Sequence, residues 1–150
     1  MAKKDKWRIK EAVKIAEDAA LKALRTGAEG ILTEAIDEAP VDTGTLRRSG
    51  TVTVGSLPKN PGQIYQDSRP VEEGGQEKEH KDAFPEPIGK EKAVYISFNT
   101  PYARRQHEEL DYEHPRGGKA KYLEDPFNRN KKKVLQYAKK QVKKALEKAN

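Results

Sequence analysis

The chain has 150 residues, 34% hydrophobic and 36% charged, with a net charge of +6; this suits one domain with a core modest for its length. It has no cysteine, which excludes disulfides, thiolate nucleophiles and cysteine-ligated zinc. No apolar run approaches the ~20 residues that span a bilayer, and Met1-Ala2-Lys3-Lys4-Asp5-Lys6 lacks the apolar stretch of a signal peptide, so a soluble protein acting or assembling inside a cell is expected.

From Trp7 to Glu38 apolar residues recur at Ile9, Val13, Ala16, Ala20, Leu24, Ile31 and Ala35, mostly three or four apart, which predicts an amphipathic helix. Unbroken, it would be about 45 Å long at the usual helical rise. Thr26-Gly27 and Gly30 weaken its middle, so a kink or two shorter helices is the alternative. Its alanine-rich face permits close approach of another helix.

Pro40 cannot continue a helix and biases Ala39 away from helical dihedrals, which stops this one at about Glu38. In the corner Pro40-Val41-Asp42-Thr43-Gly44-Thr45-Leu46-Arg47-Arg48-Ser49, Asp42 or Thr43 can cap a short helical turn while Gly44 supplies backbone freedom. Leu46 should point inward and Arg47 and Arg48 outward. The same letters hold Asp-Thr-Gly after an apolar residue, as in one half of an aspartic protease, whose paired carboxylates would require a dimer. Such a half-site follows a strand, whereas this one follows a helix end.

Thr51-Val52-Thr53-Val54, ending at Gly55, alternates as a strand does, and so does Ala93-Val94-Tyr95-Ile96-Ser97-Phe98, with Val94, Ile96 and Phe98 on one face. The two are expected to pair antiparallel. Between them, residues 56–92 are rich in Pro and Gly, with one short apolar piece at Ile64-Tyr65, and read as a long extended hairpin or arm that orders against partners. A short helix follows over Tyr102 to Glu109 with Pro101 at its start, then a loop with Pro115 and Gly117-Gly118. The last helix should begin between Lys121 and Phe127 and reach about Lys148, with Val134, Ala138, Val142 and Ala145 as its apolar stripe and lysines opposite. The fold expected is α+β: a small antiparallel sheet flanked by a long N-terminal and a C-terminal helix. Residues 1–150 form a single domain with an arm at about 56–92 and a basic helix at about 126–148.

Chemistry-bearing motifs are sparse. His107-Glu108 followed by Asp111 resembles a zinc-protease helix, but the second histidine is missing and His114 lies beyond the helix end, so a polar surface with a capping or hydrogen-bonding histidine is expected in place of a metal site. Gly117-Gly118-Lys119 lacks the preceding strand and glycine spacing of a phosphate-binding loop, and reads as a turn that packs Tyr122 and Leu123 back on the body. Residues 129–150 hold nine basic residues against Glu147 alone, leaving the rest of the chain net negative. Such a helix suits nucleic acid, an acidic protein surface or plain solvation. No catalytic residue, cofactor or metal is assigned.

The order of these pieces resembles the minor capsid and tail-completion, or head-tail joining, proteins of long-tailed bacteriophages. The resemblance rests on the corner Pro40, Val41, Asp42, Thr43, Gly44, Leu46 and Arg47, on Tyr102-Ala103 with His107-Glu108, and on Gly118, Lys121, Tyr122 and Leu123 before the last helix. It implies a non-enzymatic virion protein, assembled in the host cytoplasm. Copies form a ring in the neck, expected to be six-fold, between the portal complex with its adaptor or stopper and the tail tube or its terminator. Passing DNA is a further candidate partner and a membrane is not. The candidate contacts are Ile64, Tyr65, Glu72, Glu73, Glu77 and Glu79 of the acidic arm and Lys139 and Lys143 of the basic helix. A basic nucleic-acid-binding protein and a dimeric aspartic protease acting through Asp42-Thr43-Gly44 are the alternatives.

Overall fold

The computed structural model describes residues 3–41, 45–58, 89–100, 103–114 and 117–149. In chain order these form α1 (Lys3–Glu38), α2 (Thr45–Arg48), β1 (Gly50–Val54), β2 (Val94–Phe98), α3 (Ala103–Glu108) and α4 (Glu124–Lys148). The architecture is α+β, with two long helices packed side by side and a two-stranded antiparallel sheet against α1. Gly50 pairs with Phe98 and Val54 with Val94, so Val52 and Ile96 meet at the centre of the ladder.

The core forms where α1 crosses the sheet. Ala28 and Leu32 of α1 pack on Val52, with Ile36, Val94, Ile96 and Phe98 around them. Beside this, Ala39, Leu46, Ala103 and Tyr122 make a second cluster that also touches Phe98, so one aromatic ring joins the two. The 3.6-residue spacing of Ala28, Leu32 and Ala35 puts them on one side of α1, which explains why that side faces the sheet.

α1 runs unbroken through Gly27 and Gly30, so it is not split into two helices there. The reason lies on α4: a Cβ at Gly27 would stand 2.5 Å from Val134 Cγ1, below any contact distance, while one at Gly30 would meet nothing. Gly27 is a packing residue that lets the two helices close on each other, and tertiary contact outweighs its ~1 kcal/mol of poor helix propensity. Ala138 of α4 is buried against α1, while Leu135 and Tyr137 of the same helix remain exposed.

Candidate assembly surface

The corner after α1 is built as a cap. Leu46 is buried, as its hydrophobicity demands. Arg47 does not point outward: its Nε donates to the Ala39 carbonyl at 2.9 Å and its Nη2 to the Asp37 carbonyl at 2.9 Å. These are carbonyls that the end of a helix leaves without partners, and a cation there also meets the negative end of the helix dipole. Sequence reasoning missed this because the arginine returns across the turn. Ser49 is fully buried; its hydroxyl donates to the Leu46 carbonyl at 2.7 Å and accepts the Asn99 N–H at 3.2 Å. The corner is thereby tied to the end of β2.

The glycine loop docks on the same corner through the backbone. Val41 N–H donates to the Gly117 carbonyl at 3.1 Å, and Lys119 N–H donates to the Glu38 carbonyl at 2.9 Å. Gly117, Gly118 and Lys121 have φ of +100°, +92° and +56°, so the chain turns through left-handed conformations before α4. At Gly118 glycine is required twice over, since a Cβ would also lie 2.4 Å from Pro40 Cα. The turn delivers Tyr122 to the core, where its hydroxyl donates to the Ala103 carbonyl at 2.8 Å and its ring meets Phe98 and His107 edge-on at 5.0 and 5.1 Å.

Around this buried tyrosine lies a ring of charges. Lys121 Nζ reaches Glu108 Oε2 at 2.6 Å and Glu124 Oε2 at 3.2 Å. The backbone N–H of Glu124 donates to His107 Nε2 at 3.2 Å, so that nitrogen is the acceptor and Nδ1 carries the proton facing Glu108 Oε1 at 2.7 Å. His107 thus serves as a cap for α4, whose own cap residue, Leu123, has no side-chain acceptor. Glu124 and Asp125 in the first turn of α4 match its positive end. Nearby, Lys119 contacts Asp125 at 2.6 Å and Glu38 at 3.4 Å, and Arg129 binds Glu34 at 3.0 Å and also Glu38. Hydrogen bonding to these cations holds Glu34, Glu108 and Asp125 below their ordinary pKa values and raises Lys119, Lys121 and Arg129 above theirs. The pairs face solvent, so they fix orientation more than they add stability.

The ligand atoms of His107, Glu108 and Glu124 come within 4.8 Å of one another, the geometry a cation site would need. Both imidazole nitrogens are already engaged, and the Lys121 ammonium stands between the carboxylates. The group is a protein-only clasp joining α3 to α4. A shallow, largely apolar hollow of about 410 Å³ opens beside it, lined by Leu24 and Ile31 of α1, Ile96 of β2, Leu123, and Phe127 and Val134 of α4.

The predicted positions therefore divide. Pro40, Val41, Leu46, Arg47, Ala103, His107, Glu108, Gly118, Lys121, Tyr122 and Leu123 converge on the junction of α1, α3 and α4. Lys139 and Lys143 stand exposed far along α4. Asp42, Thr43, Gly44 and Tyr102, and the arm residues Ile64, Tyr65, Glu72, Glu73, Glu77 and Glu79, lie outside the described residues. Among the described residues no helix is long and apolar enough to cross a membrane.

The segment that would form an arm leaves and returns at one point. Gly55 N–H donates to the Ala93 carbonyl at 2.9 Å and Glu91 N–H to the Gly55 carbonyl at 3.2 Å, so the chain on either side of residues 59–88 is pinned together. Gly55 and Gly89 cross so closely that a Cβ on Gly55 would lie 2.1 Å from the Gly89 carbonyl oxygen.

None of the curated proteins and none of the solved structures matches the chain. A family model described as "Bacteriophage HK97-gp10, putative tail-component" matches residues 6–98, a span that takes in α1, the corner and both strands. With well over half of its length matched, the chain belongs to this HK97-gp10-like family of bacteriophage tail components.

Proposed function

We propose that the chain is a structural protein of the phage neck, copies of which close into a ring, six-fold by expectation, joining the tail tube to the portal side of the head. The observation that carries the reading is the base of the arm. Because Gly55 is hydrogen-bonded to both Glu91 and Ala93, the chain beyond this pin can extend from the body without disturbing β1 or β2, and residues 59–88 make thirty residues. Fifteen residues out and fifteen back reach up to about 50 Å, enough to touch a neighbouring copy. A subunit with a modest core, a tightly fixed corner and a long Pro- and Gly-rich arm suits completion by assembly. The proposed contacts are Ile64, Tyr65 and the acidic Glu72, Glu73, Glu77 and Glu79.

Deleting residues 72–82 tests this. The subunit should keep the melting profile of the full chain, since both pinned ends remain, yet heads and tails should fail to join in a mixed assembly reaction. Normal joining by the deleted protein would end the arm reading.

A further inference from the structure

The antiparallel packing of α1 and α4 brings together two basic stretches that are remote in sequence. Val134 lies over Gly27 and Arg129 beside Glu34, so each step toward the end of α4 moves one step back along α1. With equal rise on both helices, Lys148 comes level with about residue 13. The last turns of α4 and the first half of α1 thus share one end of the molecule, away from the corner. Residues 3–22 carry seven basic and four acidic side chains and residues 139–149 five basic and one acidic, giving this end +7 when the whole chain is +6.

The two ends of the helix pair treat their cations differently. Near the corner Lys119, Lys121 and Arg129 are all ion-paired. At the far end Lys92 meets Glu17 at 3.5 Å, while Arg8, Lys10 and Lys14 of α1 and Lys139, Lys140, Lys143, Lys144 and Lys148 of α4 are exposed, with no ion pair among the described residues. Lys139, Lys140, Lys143 and Lys144 follow an i, i+1, i+4, i+5 pattern, opposite the face that Ala138 buries. They form two rows with ~6 Å between successive charges along the axis.

We propose that this end of the α1–α4 pair binds the phosphate backbone of duplex DNA without regard to sequence. Two arguments select a polyanion over another copy of the chain. Every copy carries +6, so contacts among copies, including those made by the acidic arm, cannot neutralise an assembly. The face is also made of lysines, which are depleted from the cores of protein–protein interfaces but serve well as point charges against phosphates. Because it rests on charge placement, the inference does not depend on ring formation.

The test is fluorescence anisotropy of the full chain with a labelled 30-base-pair duplex of arbitrary sequence, across a salt series. Contact with about four phosphates predicts that affinity falls about 150-fold between 50 and 200 mM salt. Replacing Lys139, Lys143 and Lys144 with Gln should flatten the salt slope by about 3, whereas replacing Arg48, Arg104 and Arg105, the same charge removed from the corner end, should leave it within about 1. Circular dichroism melting curves confirm that both variants fold. Absence of duplex binding at 50 mM salt, or equal loss in the two variants, would overturn the proposal. So would preferential binding of a synthetic peptide of residues 67–91, which would make the partner an acidic protein segment.

Discussion

Changing Gly27 to Ala sets two effects of opposite sign against each other. On an exposed helix the substitution would stabilise by about 0.8–1 kcal/mol, the propensity difference between the two residues. Here the new methyl would sit 2.5 Å from Val134 Cγ1, 2.7 Å from Cγ2 and 3.1 Å from Cβ, so no rotation of the branched side chain clears it. The helices must separate, and overpacking of this kind costs about 1–3 kcal/mol. The net expectation is a loss of about 1 kcal/mol, a fall of about 3 °C in Tm for a protein of this size. Val134→Ala alone should also cost about 1 kcal/mol in lost packing. In that background, however, only the retained Cβ of residue 134, at 3.1 Å, still crowds the new methyl, so Gly27→Ala should recover much of the propensity gain and stabilise. Chemical unfolding followed by far-UV circular dichroism on the four proteins of the cycle measures this reversal of sign. If Gly27→Ala stabilises the chain whether or not Val134 is present, the close packing of α1 on α4 at this level is wrong.

Gly118→Ala should be among the most damaging small substitutions, since it combines a φ of +92° with a Cβ driven into Pro40; loss of soluble protein on expression is the readout. Leu46→Asp should likewise abolish soluble folding, because Leu46 is buried beside Tyr122 in a cluster that offers a carboxylate no partner. Tyr122→Phe leaves the ring in place but removes its buried hydrogen bond to the Ala103 carbonyl, and should cost about 1 kcal/mol in urea unfolding. The clasps make acid sensitivity predictable. Glu34, Glu108 and Asp125 have folded pKa values below their ordinary 4.5, 4.5 and 3.8, so their contribution is complete above those values and is lost as pH falls through the folded ones. Lys119 and Lys121 lie above 10.5, so their side of the same pairs fails only in alkali. Tm measured against pH for the parent and Lys121→Met should differ at neutrality and converge as the pH falls below the ordinary carboxylate range, with a smaller difference in high salt.

What the sequence disclosed was local. The spacing of Ile31 and Ala35, the break at Pro40, the alternation in Val52 and Ile96, and the stripe through Val134 and Ala138 each fix an element from residues within one or two turns. The elements and the α+β arrangement were legible for that reason. The unbroken passage of α1 through Gly27 was not, because a helix-weakening glycine and a helix-packing glycine look alike until Val134, more than a hundred residues later, is seen to face it. Arg47 looked like a surface charge because its carbonyl partners, at Asp37 and Ala39, lie across a turn whose geometry local pattern does not specify. The His107, Glu108, Lys121 and Glu124 clasp was half visible as a histidine-carboxylate pair, but Lys121 enters it from a left-handed conformation rare outside glycine and asparagine. The shared basic end of α1 and α4 required knowing that the helices run antiparallel.

The central claim is that the subunit completes itself in a neck ring, and native mass measured across concentration, alone and with tailless heads or headless tails, addresses it most directly. A free monomer of 16.9 kDa should be taken up as a fixed multiple, six by expectation, on one of those partners. A stable small oligomer of unchanging mass, indifferent to heads and tails, would contradict it.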